Sequence, residues 1–179
     1  KIRAAKTEFL KKRIKFCGAI IENGRRYLNP DKTRAVRELV RPENKKEAAS
    51  IFGLLNYHRA FIPNFASKAA PINRAMSKGF KWTIEADNAL ANLKEEIAKH
   101  VDGLKIPNAN VGEFGIETDA SEKGIGAVLL YRNDEKSQFQ PAAYLSLKFD
   151  QAQKNYNISE KELLAGKTAM EKWSHYLLG

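Results

Sequence analysis

The sequence is poor in the residues that build covalent or metal-bound scaffolds. Its 179 residues include one cysteine, Cys17, and three histidines. A single thiol excludes a disulfide framework and any zinc site that needs several thiolates. His58, His100 and His175 stand far apart with no ligand spacing, and they read as surface or core side chains. No apolar run approaches the roughly 18–20 residues needed to cross a bilayer, so no membrane partner is expected. Residues 1–13 are basic with scattered apolar positions, unlike a secretory signal, so an intracellular protein is expected. A Gly-rich phosphate loop, a nucleophile elbow and a Cys–His pair are missing too.

Acidic residues are scarce in one half. Residues 1–83 hold 20 basic and 6 acidic side chains, a net of +14, whereas residues 84–179 hold 11 and 15, a net of −4. A strongly basic half beside a mildly acidic one suggests that the first meets a polyanion. Nucleic acid is the usual polyanion, because neutralising phosphates releases condensed counterions. A solvated basic face without a partner fits the charge equally well. With 43% apolar and 29% charged residues, the chain has the composition of one or two globular domains.

Periodicity divides the chain in the same place. Apolar positions over 11–28 surround Glu22-Asn23-Gly24-Arg25, and Asn-Gly favours the positive φ angles of a hairpin turn. Asn29-Pro30-Asp31 reads as a helix start, with Ala35, Val36, Leu39 and Val40 on one face and Pro42 closing it. Asn44 with Glu47 resembles a capping box before Ala48, Ile51, Phe52 and Leu55. Residues 64–76 are helical in period but contain Pro71, which predicts a break or two short helices. Thr83 caps a further helix with the stripe Ala86, Leu90, Leu93 and Ile97. The period then becomes strand-like over 114–118, 124–131 and 140–147, and a helix over 159–178 closes the sequence. The pattern is α+β: a mostly helical half, then a three-stranded antiparallel meander and the helix its face requires. The boundary is expected over 101–107.

Two carboxylates could carry chemistry. Asp119 stands at the end of the first strand in Thr118-Asp119-Ala120-Ser121, where, taken alone, a plain turn is the more natural reading. Glu162 shares a stripe with Ala165, Ala169, Trp173 and Tyr176, which should face the sheet. It also fits a capping box with Ser159, so a cap and a metal ligand both remain open. A carboxylate at a strand end and another in a helix's first turn can hold a hard divalent cation. In the basic half, Arg25, Arg26, Lys32, Arg34, Arg37, Lys45, Lys46, Arg59, Lys68 and Arg74 are the expected nucleic-acid contacts. Tyr57 and Phe61 among them read as core.

The residues Phe52-Gly53-Leu54-Leu55-Asn56-Tyr57-His58-Arg59-Ala60-Phe61-Ile62-Pro63-Asn64-Phe65 resemble the thumb signature of reverse transcriptases from gypsy-type LTR retrotransposons and the related plant pararetroviruses. Phe16-Cys17-Gly18-Ala19-Ile20-Ile21 and Leu28-Asn29-Pro30-Asp31-Lys32 resemble the end of the palm with its primer-grip hairpin. Phe80-Lys81-Trp82-Thr83 resembles the spacer that follows. Thr118-Asp119-Ala120-Ser121, Gly124-Ile125-Gly126-Ala127-Val128-Leu129 and Glu160-Lys161-Glu162-Leu163-Leu164-Ala165 resemble the opening of the RNase H domain, continued by Trp173, His175-Tyr176-Leu177 and Gly179. Thr7, Cys17, Leu147 and Gly166-Lys167-Thr168 depart from the family's usual residues.

The resemblance implies a palm end over 1–30, a helical thumb and connection over 31–103, and the N-terminal part of an RNase H-like domain over 104–179. It implies that Asp119 and Glu162, not Glu160, bind Mg²⁺ (or Mn²⁺) and hydrolyse the RNA strand of an RNA–DNA hybrid. The implied partners are that hybrid, the primer–template duplex and the remainder of the Pol polyprotein, in a cytoplasmic particle or the nucleus. The polymerase aspartates are expected upstream and two further RNase H aspartates downstream, with Asp150 too early to replace them. On that count the chain alone is expected to be inactive, with an unpaired strand edge. The alternatives are a non-catalytic duplex-binding module and a structural remnant.

Overall fold

Two positive-φ pairs fold the start of the chain. The computed structural model describes residues 9–77, 79–99, 102–108 and 111–178. Strands β2 (Ala19–Glu22) and β3 (Arg25–Leu28) are joined by Asn23 and Gly24 at φ 50° and 69°, the expected hairpin. A second hairpin, not foreseen, joins β1 (Arg13–Phe16) to β2 through Cys17 at φ 47° and Gly18 at φ 75°. Cys17 carries a Cβ into that left-handed region, so the dipeptide is a weak turn signal. Tyr57 braces this turn: its hydroxyl donates to the Cys17 carbonyl at 2.6 Å, and its ring occupies the space where a Gly18 Cβ would stand. Tyr57 is therefore not the core residue expected, since 46% of it is exposed, whereas Phe61 is buried as expected. The short β4 (Leu104–Lys105) pairs with β3 and completes a four-stranded sheet.

The helices between start as their caps dictate. The Asn29 side chain accepts the Asp31 amide at the head of α1 (Pro30–Arg37). This helix stops before Pro42: Val36 is buried, but Val40 lies beyond the helix and is exposed. At α2 (Lys45–Tyr57) the Asn44 side chain accepts the Glu47 amide, and the Glu47 carboxylate accepts the Glu43 amide at 2.8 Å. A 3₁₀ turn (Arg59–Phe61) then leads to α3 (Phe65–Lys68) and α4 (Ala70–Ala75), the division that Pro71 predicts. In α5 (Ile84–Lys99) the stripe Ala86, Leu90, Leu93 and Ile97 is buried throughout. These segments close on one core that also takes in Leu28, Trp82 and Leu104.

The acidic half is the expected meander of β5 (Glu113–Ala120), β6 (Gly124–Arg132) and β7 (Gln140–Lys148), with β6 central. The last helix differs in its first turn and its end. The N-cap of α6 (Ile158–Lys172) is Asn157, not Ser159, and Glu160 closes a capping box with it. The helix ends at Trp173 and the chain continues as α7 (Ser174–Leu177). Ala165, Ala169 and Trp173 cover the sheet face formed by Phe114, Ile116, Ala127, Leu129 and Tyr131. On the opposite side β7 runs against the 3₁₀ turn, α3 and β4, so helices lie on both faces of the sheet.

Candidate functional site

Asp119 is placed by strand alternation. Phe114, Ile116 and Ala120 pack toward α6, which turns Asp119 to the other face. There it is opposite Gly126 on β6, and Gly126 is opposite Ser146 on β7, so the three form one row across the sheet. The basic half docks on that row. Asn64, in the left-handed conformation at φ 54°, sets its side-chain oxygen where a Gly126 Cβ would stand. Ser146 Oγ accepts the Ala66 amide at 2.9 Å, and Arg59 Nη2 donates to the Ser146 carbonyl at 2.7 Å. Asp119 itself is exposed, and among the described residues its carboxylate makes no hydrogen bond or ion pair.

Glu162 reaches the same point from α6. With Glu160 taking the capping role, Glu162 is left to act elsewhere. Its Oε1 accepts the backbone N–H of Ala120 at 3.2 Å. The Ser121 amide bonds inward to the Gly124 carbonyl, so alternation points the Ala120 amide outward to the free edge of β5. The two carboxylates thus flank a single peptide group. Glu162 is exposed rather than buried with its apolar stripe, because it stands one turn beyond the edge that Ala165 covers. Carboxylate oxygens are the ligands a hard cation such as Mg²⁺ takes, so this pair fits such an ion in chemistry. Among the described residues no third His, Cys, Asp or Glu joins it.

The expected nucleic-acid contacts divide into two sets. Arg25 donates to the Asp102 and Gly103 carbonyls and to Gln140, Arg26 lies 4.9 Å over the Phe61 ring, and Lys68 pairs with Glu96 at 2.9 Å. With Arg59, these four cations act within the fold. Lys32, Arg34 and Arg37 on α1, Lys45 and Lys46 at the head of α2, and Arg74 at the end of α4 are exposed. Spacing could not separate the sets, since the carbonyls and rings that engage the first come from distant chain.

Of the histidines, His58 is fully buried, whereas His175 stacks against Tyr176 at 4.2 Å. His100 and Gly179 lie outside the described residues, as do Thr7 and Val101. Lys148, a cation with no motif around it, ends β7 where a cleft of about 400 Å³ opens between α4 and the sheet beside Asp119.

The family of RNase H-like domains found in reverse transcriptase matches residues 82–179. Across 98% of its length the chain is 33% identical to the Transposon Tf2-3 polyprotein of Schizosaccharomyces pombe, and equally to the Tf2-4 polyprotein. It spans only 13% of those relatives. The foamy viral protease-reverse transcriptase in complex with RNA/DNA hybrid superposes on 98% of the chain, with a TM-score of 0.80 and 26% identity. The same foamy viral protein in complex with double-stranded DNA covers 95%, with a TM-score of 0.78 and 26% identity. The chain spans 24% and 35% of those two structures.

Proposed function

This chain belongs to the family of RNase H-like domains found in reverse transcriptases, and from that premise we propose that it forms part of a retrotransposon enzyme that cleaves the RNA strand of an RNA–DNA hybrid. Asp119 and Glu162 are two of the carboxylates that hold Mg²⁺ or Mn²⁺ there. The observation that carries this is the Glu162 bond to the Ala120 amide, which brings a helix carboxylate to the residue next to Asp119. When bound, such ions polarise the scissile phosphate and lower the pKa of the attacking water. The bond to Ala120 holds one Glu162 oxygen and leaves the other for coordination, while the exposed Asp119 carboxylate has no partner among the described residues. The exposed cations of α1, α2 and α4 hold the duplex through its phosphates, as A-form-like duplexes are recognised mainly by shape and backbone. A relative of this fold has been captured on an RNA/DNA hybrid, which supports that choice of partner.

A second reading is favoured by the carboxylate count. With two carboxylates and no third ligand among the described residues, the chain by itself holds the hybrid without cutting it. Further ligands then come from the rest of the polyprotein, docking along the free edge of β5.

The test is a Mg²⁺ titration followed by amide NMR, beside a cleavage assay on a labelled hybrid. Millimolar Mg²⁺ with hybrid present should shift the Ala120 amide in the parent chain, and neither Asp119→Asn nor Glu162→Gln should reproduce that shift. Cleavage by the chain alone should be weak or absent, and whatever occurs should vanish in Asp119→Asn. An unmoved Ala120 amide, or cleavage that survives Asp119→Asn, overturns the assignment.

A further inference from the structure

The cleft beside Asp119 brings together two cations from opposite halves of the sequence. Arg74 ends α4, Lys148 ends β7, and both line a cavity of about 400 Å³. Lys123 and Lys154 line it as well, so four cations face the carboxylates of Asp119 and Glu122. Among the described residues neither Arg74 nor Lys148 is within ion-pair distance of a carboxylate, although the Arg74 charge reaches Glu85 on the solvent side and the fold does pair Lys15, Arg41 and Lys68. Burial disfavours the Lys148 ammonium, and the Arg74 guanidinium disfavours it further. Both side chains are exposed at the mouth of the cleft, and like charges drawn together there repel until an anion comes between them. The walls are also held in place: Ser146, two residues before Lys148, bonds to Ala66 and Arg59, so the strand end cannot easily swing away from α4.

We propose that Arg74 and Lys148 together cradle one backbone phosphate of a nucleic-acid strand at the seam between α4 and β7, anchoring that strand beside Asp119. A guanidinium offers paired N–H donors and an ammonium a compact point charge, and one phosphate has oxygens enough for both. The cleft is open to solvent at the row that carries Asp119, so a strand held there runs past the carboxylate. This site rests on the reading of the chain as a hybrid-binding fragment and adds a specific anchor to it.

The experiment measures fluorescence anisotropy of a labelled RNA–DNA hybrid against salt. It compares the 179-residue chain with Arg74→Gln, Lys148→Gln, the double variant, and Lys136→Gln at the opposite end of the sheet. Each cleft substitution should weaken binding by about three- to tenfold, and Lys136→Gln should change it by less than about twofold. If one phosphate is shared, the double variant loses about one unit of the log–log salt slope rather than about two. The thermal midpoint of Lys148→Gln should stay level or rise, because the substitution removes its repulsion from Arg74; a lower midpoint would mark a structural role and overturn the proposal. No salt-dependent binding by the parent chain overturns the hybrid-binding reading itself. Intact binding in the parent and in both cleft variants overturns only the cradle. Inorganic phosphate that shifts the Lys148 resonances while leaving hybrid affinity unchanged would assign the cleft to a free anion instead.

Discussion

His58 has no exposed surface, and neither of its ring nitrogens finds a hydrogen-bond partner among the described residues. It ends α2 and begins the 3₁₀ turn, with the Tyr57 ring edge-on at 5.1 Å. Burial, and then the charge of Lys32, push its pKa down from 6.5 to about 4. The unfolded chain therefore binds a proton at His58 across an interval in which the folded chain resists it. The His58 contribution to stability is full above about pH 6.5, falls as the pH drops toward about 4, and changes no further below that. Over the whole interval this amounts to roughly 3 kcal/mol. Urea unfolding between pH 7 and pH 5 should show the loss, and His58→Leu should flatten the profile in that window. Gly126 poses a different residue-scale constraint, since any Cβ there meets the Asn64 side-chain oxygen, which must then move aside.

At the scale of one element, α6 is where a two-residue shift of its start decides the chemistry. Asn157 accepts the Glu160 amide at 2.9 Å and Glu160 accepts the Asn157 amide at 2.8 Å, so the helix begins two residues before the position that Ser159 suggests. That shift assigns capping to Glu160 and releases Glu162 toward Ala120. Asn157→Ala should cost about 1 kcal/mol of stability and fray the turn that holds Glu162. Gly166 lies further along the same helix, and a Cβ there meets nothing within 4 Å. Gly166→Ala should therefore stabilise the protein by about 0.5–1 kcal/mol, through helix propensity alone. Denaturant midpoints moving in opposite directions for these two variants would check both. A destabilised Gly166→Ala would mean that the glycine serves a close approach after all.

Across the whole molecule, the two halves are joined at Ser146. Its hydroxyl and carbonyl serve Ala66 and Arg59, and Arg25 adds a tie from β3 to Gln140 at the head of β7. A charged donor on a carbonyl in a partly buried seam contributes about 1.5–3 kcal/mol. Arg59→Ala should remove a contribution of that order and expose amides of both halves at the seam, including Ala66, to hydrogen exchange. Exchange that rises uniformly instead would show that the halves unfold as one unit whatever happens at the seam. Because Arg59 is engaged here, its loss should weaken hybrid binding less than the loss of an exposed cation on α1 or α2 at equal folded fraction.

Much of the architecture was legible from local chemistry. Asn23-Gly24, Asn29-Pro30, Asn44 with Glu47, and Pro71 each act through their own backbone, so their turns, caps and breaks could be read without the fold. The alternation that turns Asp119 away from Phe114 and Ile116 is local in the same way. The hairpin at Cys17-Gly18 stayed hidden because it leans on Tyr57, forty residues away. The division of the cations stayed hidden too, since a phosphate, a carbonyl and an aromatic ring all attract a guanidinium, and only the folded chain decides which of them is near. Glu162 lies between these cases. The sequence by itself determined that a carboxylate sits in the first turns of this helix and that strands precede it. Whether it caps the helix or meets the strand was settled by tertiary structure, because that choice depends on how α6 lies across the sheet.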